Sequence, residues 1–308
     1  MEHEAASSMN ETPALKPGRP VGETLQAIAA HLLIQAHEIL QDKSLDDKVV
    51  VHDIRRAMKQ WRAFLKMLSP FLANQHQTLR DDARTLARKL TMARDAQSAI
   101  DGFHDTIAGT YHLPSELTPQ NLVAIYRRLE ALRFEKEARI WDEETRQQFS
   151  DYVTAASYYV SHWHLHPLTF SDLAERLAET YRRARQALPK DWAQASPEDL
   201  HELRRRVVEH RYQMELIEPA WPRLGRIWVD EAQRLRTRLG RYQDLVVLTH
   251  LTMPHQPLAP WRAKLLPLIA HQQADYVKLA SRVAARLFAE PPKAFRRRIE
   301  ALWDAQAG

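Results

Sequence analysis

Apolar residues recur every three to four positions along most of the chain, in stretches too long for strands and separated by polar, proline-bearing segments. That period is the period of helices with one face turned to a core. It predicts helices over about 22–42, 47–69, 74–105, 119–150, 170–188, 198–218, 223–252 and 259–290, with a short last helix over about 292–304. The breaks fall at "DKSLDD", "GTYHLPSELTP", "SHWHLHP", "LPKDWAQASPED" and "MPHQPLAP". Residues 1–20, with Pro13, Pro17, Gly18 and Pro20, read as a flexible tail. Only 7 glycines in 308 residues, with 17 prolines gathered largely at the breaks, make the expected fold class all-α.

The pattern also recurs. Displaced by 149 residues, "VHDIRRAMKQWRAFLKML" (51–68) lies over "LHELRRRVVEHRYQMELI" (200–217). Core candidates Val51, Ile54, Met58, Leu65 and Leu68 then meet Leu200, Leu203, Val207, Met214 and Ile217. His52, Arg55, Arg56 and Arg62 meet His201, Arg204, Arg205 and Arg211, and "LARKLTMARD" meets "LRTRLGRYQD" at nearly the same displacement. Recurrence at a fixed period is the mark of an internally repeated unit. The expectation is one domain, 21–308, from an internal duplication of a four-helix unit: halves of about 21–160 and 168–290, plus the short C-terminal helix.

On a wheel of 100° per residue, Ile54, Met58, Trp61, Leu65 and Leu68 form one apolar stripe. His52, Arg55, Arg56, Lys59, Arg62 and Lys66 form a second, about 130° away. Asp53 is the only acid between residues 51 and 68. Solvated helices usually mix signs, because opposite charges at i,i+4 add a few tenths of a kcal/mol and like charges cost as much. A lone basic face would still be read as ordinary surface; two copies of it change the balance. With 44 Lys+Arg against 39 Asp+Glu, the net charge of +5 favours an anionic partner only if it is concentrated. No run of acids that would neutralise both stripes is evident, and guanidinium forks suit bidentate contact with phosphate oxygens.

"VHDIRRAMKQWR" and "LHELRRRVVEHRYQMEL", followed by "LxxxLGxxxD"-like stretches, resemble the CHAD family over about residues 22–290. The resemblance implies two antiparallel four-helix bundles related by pseudo-two-fold symmetry, with a basic channel between them that binds inorganic polyphosphate. Carried over by position, His52, Arg55, Lys59 and Arg62, then His201, Arg204 and Arg211, would line it, joined by Arg56 and Arg205 from the repeat. Lys89, Arg238, Arg182 and Arg185 are further candidates. The second half departs from the pattern: Val208 stands where a lysine is expected, Glu209 follows it, and Gln243 replaces Arg94. Thr91 stands where the first half should have glycine. Weaker binding by the second half follows from these changes. The ExExK motif of triphosphatase-linked members is absent.

Other features carry less. His162, His164 and His166 alternate, which on a strand would suit a metal, but a structural zinc wants four ligands and no carboxylate completes the set; no metal or cofactor is expected. His52-Asp53 resembles the "HD" pair of metal phosphohydrolases, yet the second copy reads His201-Glu202, and adjacent side chains on a helix diverge. There is no glycine-rich phosphate loop for a nucleotide hydrolase and no catalytic carboxylate cluster for a metal-dependent polyphosphate or phosphate-ester hydrolase, the alternative enzyme class, so catalysis is not expected. Nucleic acid is the serious rival ligand, since its backbone too is a phosphate chain. The stripes lack interleaved stacking aromatics, which makes it the weaker competitor. With no cysteine there are neither disulfides nor thiolate sites. No secretory signal and no membrane span are expected, which points to the cytoplasm, where polyphosphate granules would be the place of action.

Overall fold

The computed structural model describes residues 13–72, 75–110, 114–115, 117–137 and 141–307, and among them every regular element is helical. The first six helices are α1 (Val21–Gln41), α2 (Asp47–Leu68), α3 (Gln75–Lys89), α4 (Thr91–Ala108), α5 (Pro119–Glu137) and α6 (Glu143–Ser161). Five more follow: α7 (Phe170–Gln186), α8 (Pro197–Ile217), α9 (Pro222–Leu251), α10 (Arg262–Leu287) and α11 (Pro292–Ala307). The two basic helices start on side-chain caps. Asp46 accepts from the Lys48 amide at 2.8 Å before α2. Ser196 and Asp199 close a capping box before α8, with Pro197 in its first turn, where a missing N–H costs nothing.

Two expected helices are each two. The third is interrupted at Leu90, which leaves helical geometry (φ −82°, ψ 1°) while remaining fully buried. No proline or glycine marks that break. The fourth ends by Glu137, and a new helix starts at Glu143, capped by Asp142, whose side chain accepts from the Thr145 amide at 2.8 Å. Acids at 142, 143 and 144 are a first-turn signal that helical periodicity alone overrides. Among the described residues, six helices therefore stand between Val21 and Ser161 where four are expected, whereas the four expected over 170–290 are each a single helix. The last helix, α11, packs on α7 as α6 packs on α1.

Three pairs of helix boundaries share one displacement. Starts of α1 and α7 (21, 170), ends of α2 and α8 (68, 217) and starts of α6 and α11 (143, 292) are each 149 residues apart. The apolar stripe of α2 is buried as expected: Ile54, Met58, Trp61, Leu65 and Leu68 are all within 3% of full burial, and Leu200, Leu203, Val207, Met214 and Ile217 are buried on α8. Val51 is only half-buried. Trp61 stacks on Trp163 (6.1 Å between ring centres) and donates to Tyr152 Oη at 2.6 Å, which donates on to Leu79 O at 2.9 Å.

The halves meet through α2 against α7 and α8, and through α4 against α9 and α10. Gly102 permits the α4–α9 crossing: a Cβ there would lie 2.9 Å from the Asp244 carbonyl oxygen. Ala63, Phe64 and Met67 on α2 are buried too, outside the core stripe, because α2 is covered on more than one side.

Candidate basic groove

Where α2 and α3 of the first half face α8 and α9 of the second, a groove of about 320 Å³ opens. Its walls carry Lys59, Arg62 and Lys66 from α2, Arg80 and Arg84 from α3, Arg204 and Arg205 from α8 and Arg236 from α9. Asp81 and Glu209 are the acids among them, and Ala63 and Val208 complete the lining. Eight cations against two carboxylates leave a net +6 in the groove, more than the +5 of the entire chain. The basic excess of this protein is thus concentrated in one place, and the remainder is close to neutral.

Arg62 stands at the centre of this charge. Burial, then repulsion from Arg205, Arg84 and Arg80, lowers its guanidinium below the ordinary range, and Glu209 opposes the shift. Arg62, Arg80 and Arg84 have no carboxylate partner among the described residues. An anion entering the groove would relieve their mutual repulsion. The second-half arginines differ, because acids on the same helix pair with them. Glu202 accepts from Arg205 at 3.0 Å and pairs with Arg206 at 2.6 Å, and Glu215 pairs with Arg211. The expectation that no acids neutralise the stripes is corrected for α8: Glu202, Glu209 and Glu215 do so at i,i+3 and i,i+4 spacings.

Of the residues singled out from sequence, Lys59, Arg62, Arg204 and Arg205 line the groove. The Arg204 guanidinium lies against α9 at Gly240, 3.5 Å from where a Cβ would stand. Arg55 and His52 continue the same face of α2 toward its start, outside the lining; His52 is exposed, with Nδ1 2.9 Å from Asp53 Oδ1. His201 is one turn before Arg205, and burial, then Arg204 and Arg205, depress its imidazole below the usual range. Arg56 turns toward α1, lining a separate cavity with Glu38, Asp42 and Asp53. Arg211 is mostly buried over the Tyr212 ring at 4.7 Å.

Lys89 reaches Gln148 on α6, Arg182 and Arg183 are tied to Glu179, and Arg185 donates to Phe288 O at 3.1 Å. These, and the half-exposed Arg238, lie outside the lining. The side chains of Arg94 and Asp95 lie outside the described residues. Lys66 is on the basic stripe, whereas Arg80, Arg84 and Arg236 join the groove from other helices without being marked by the repeat: the residues at their repeat positions are Val229, Gln233 and Ala87.

The groove is one-sided. At the 149-residue register Lys59 corresponds to Val208, Arg80 to Val229, Arg84 to Gln233 and Lys66 to Glu215, so the opposite face lacks these charges. Elsewhere, His162 bonds through Nδ1 to Tyr158 O at 2.8 Å, and among the described residues no three metal-ligating side chains converge. Nor, among them, is any helix long and apolar enough to cross a membrane.

Among the described residues the fold is all-helical, with a cationic groove between α2–α3 and α8–α9. The family model for the CHAD domain matches residues 23–252, and the chain belongs to that family. Polyphosphate binding is the general property of the family, and membership is consistent with it at that level. Among solved structures, PptA from Streptomyces chartreusis superposes with a TM-score of 0.63 at 16% identity, covering 88% of this chain and all of that one, which establishes likeness of fold. No curated protein matches the chain.

Proposed function

We propose that this protein binds inorganic polyphosphate, without turning it over, in the groove between α2–α3 and α8–α9. The observation that carries the reading is the concentration of a net +6 in one groove of a chain that totals +5. A linear phosphate chain presents one charge after another at short intervals, and guanidinium forks match its oxygens. The lining holds no aromatic ring, so it offers nothing for a base to stack on. That favours a base-free phosphate chain over single-stranded nucleic acid. Of the two carboxylates, Glu209 is engaged by Lys66, which leaves no carboxylate pair to hold a metal or activate water. The place of action would be the cytoplasm, at polyphosphate granules.

The test is competition. Long-chain polyphosphate should displace labelled single-stranded RNA at equal phosphate concentration, and Arg62→Glu or Arg84→Glu should weaken binding by about tenfold or more, consistent with lost charge-assisted contacts. Arg297→Glu, on the exposed surface of α11, should leave affinity nearly unchanged. Equal displacement by RNA, or equal losses in all three variants, would remove the selective reading. Phosphate release on prolonged incubation with Mg²⁺ or Mn²⁺ would show turnover instead.

A further inference from the structure

Glu209 is an anion built into a cationic groove. Lys66 Nζ donates to both of its carboxylate oxygens at 2.6 Å, and Arg206 approaches Oε2 at 3.5 Å. Lys66 and Glu209 are each about four-fifths buried, and the pair bridges α2 of one half to α8 of the other. The neighbours of the pair are cations: Arg206 and Arg183 repel Lys66, and Glu209 is the acid that offsets the repulsion Arg62 feels from Arg205, Arg84 and Arg80. The pair has no mate at the repeat register, where Gln60 answers to Glu209 and Glu215 to Lys66.

We infer that Glu209 is a tethered competitor that occupies the Lys66 end of the groove in the free protein and makes the groove select long phosphate chains over short ones. This rests on the polyphosphate reading above. A carboxylate held beside its partner competes at an effective concentration of the order of mM or higher, whatever is in solution. A short anion that reaches Lys66 must displace it from bulk. A chain already held on Arg62, Arg80 and Arg84 presents its next phosphate to Lys66 intramolecularly, so the two competitors meet on equal terms. The penalty therefore falls on short ligands.

The experiment compares affinities for tripolyphosphate and for long-chain polyphosphate in wild type, Glu209→Gln and Glu209→Asp. Glu209→Gln keeps the volume and removes the anion; Glu209→Asp keeps the charge and draws it back from Lys66. Glu209→Gln should tighten tripolyphosphate by about tenfold and the long chain by about threefold or less, with Glu209→Asp between them. A diffuse charge effect would act the other way, favouring the more highly charged long chain. Tightening that is equal for both ligands, larger for the long chain, or absent overturns the inference. Should Glu209→Gln fail to fold, as judged by circular dichroism and melting, the same comparison in Glu209→Asp decides. A wild type that binds neither ligand sinks the polyphosphate reading itself; one that binds the long chain with a length preference untouched in the variants sinks only the role of Glu209.

Discussion

His210 occupies the helical position that Trp61 holds in the first half, and both are buried to 2% exposure. It is walled by the rings of Tyr181, Phe288 and Phe295, with centroids 5.5–5.9 Å away, and burial pushes its imidazole down to about 4. Folded protein therefore holds it neutral, while the unfolded chain protonates it near its ordinary pKa of about 6.5. Between these values the unfolded state binds more protons, so stability must fall as pH drops, by up to about 1.4 kcal/mol per pH unit for this one group. Urea unfolding of wild type at pH 7, 6 and 5 should show that loss, and His210→Phe should flatten the slope by about one proton. An unchanged slope in the variant would assign the uptake to other groups. At this scale the sequence is most informative where the 149-residue displacement puts two residues side by side: His210 falls on Trp61 of the apolar stripe, which marks it as a core residue. It could not show that Arg62 would sit among Arg205, Arg84 and Arg80, because those neighbours come from two other helices, α8 and α3.

Helices were legible as periodicity and their breaks only where proline, glycine or a cap announced them. Leu90 announces nothing, and the interruption there depends on how α3 and α4 meet the rest of the core. The glycine that matters most for the joining of the halves is equally silent in sequence. Ordinarily a helical Gly→Ala gains about 1 kcal/mol. At Gly102 the new Cβ would stand 2.9 Å from a backbone oxygen and 3.0 Å from a backbone carbon of Asp244, and backbone cannot turn aside as a flexible side chain can. Gly102→Ala should thus destabilise by about 1–3 kcal/mol, as overpacking does, and weaken ligand binding because α9 carries Arg236 into the groove. Thermal unfolding checks it: a raised melting temperature would mean α4 and α9 separate without cost. The same element-level view explains why the two basic helices are not equal. The wheel placed positive residues on one face of each, but Glu202, Glu209 and Glu215 return along α8 at helical spacing and neutralise much of its face. On the proposed polyphosphate reading, binding strength is then expected mainly on α2 and α3.

For the molecule as a whole, the groove sets two properties against each other. Cations held together in the free protein cost stability, and on the proposed reading the same cations would be the source of affinity. Salt must therefore act in opposite directions on the two. Raising NaCl from about 0.02 to 0.2 M shortens the screening length from about 20 Å to below 10 Å, which weakens repulsion across the groove. The exposed ion pairs that salt also weakens are worth little, with a median near 0–1 kcal/mol each. The free protein should therefore melt at a higher temperature in the higher salt. Polyphosphate affinity should fall over the same range with a linear log–log slope, because each phosphate neutralised releases condensed counterions. In low salt, a hundredfold excess of ligand over its dissociation constant should add about 2.7 kcal/mol of stability, and that increment should shrink as salt rises. Differential scanning fluorimetry with and without polyphosphate at three salt concentrations reads both effects in one series. If the free protein loses stability with salt as fast as the complex does, the groove cations are balanced in the free state and the charge concentration is not what drives binding. If the two trends cross, the net +6 of the groove, against +5 for the chain, is the quantity that governs both stability and function.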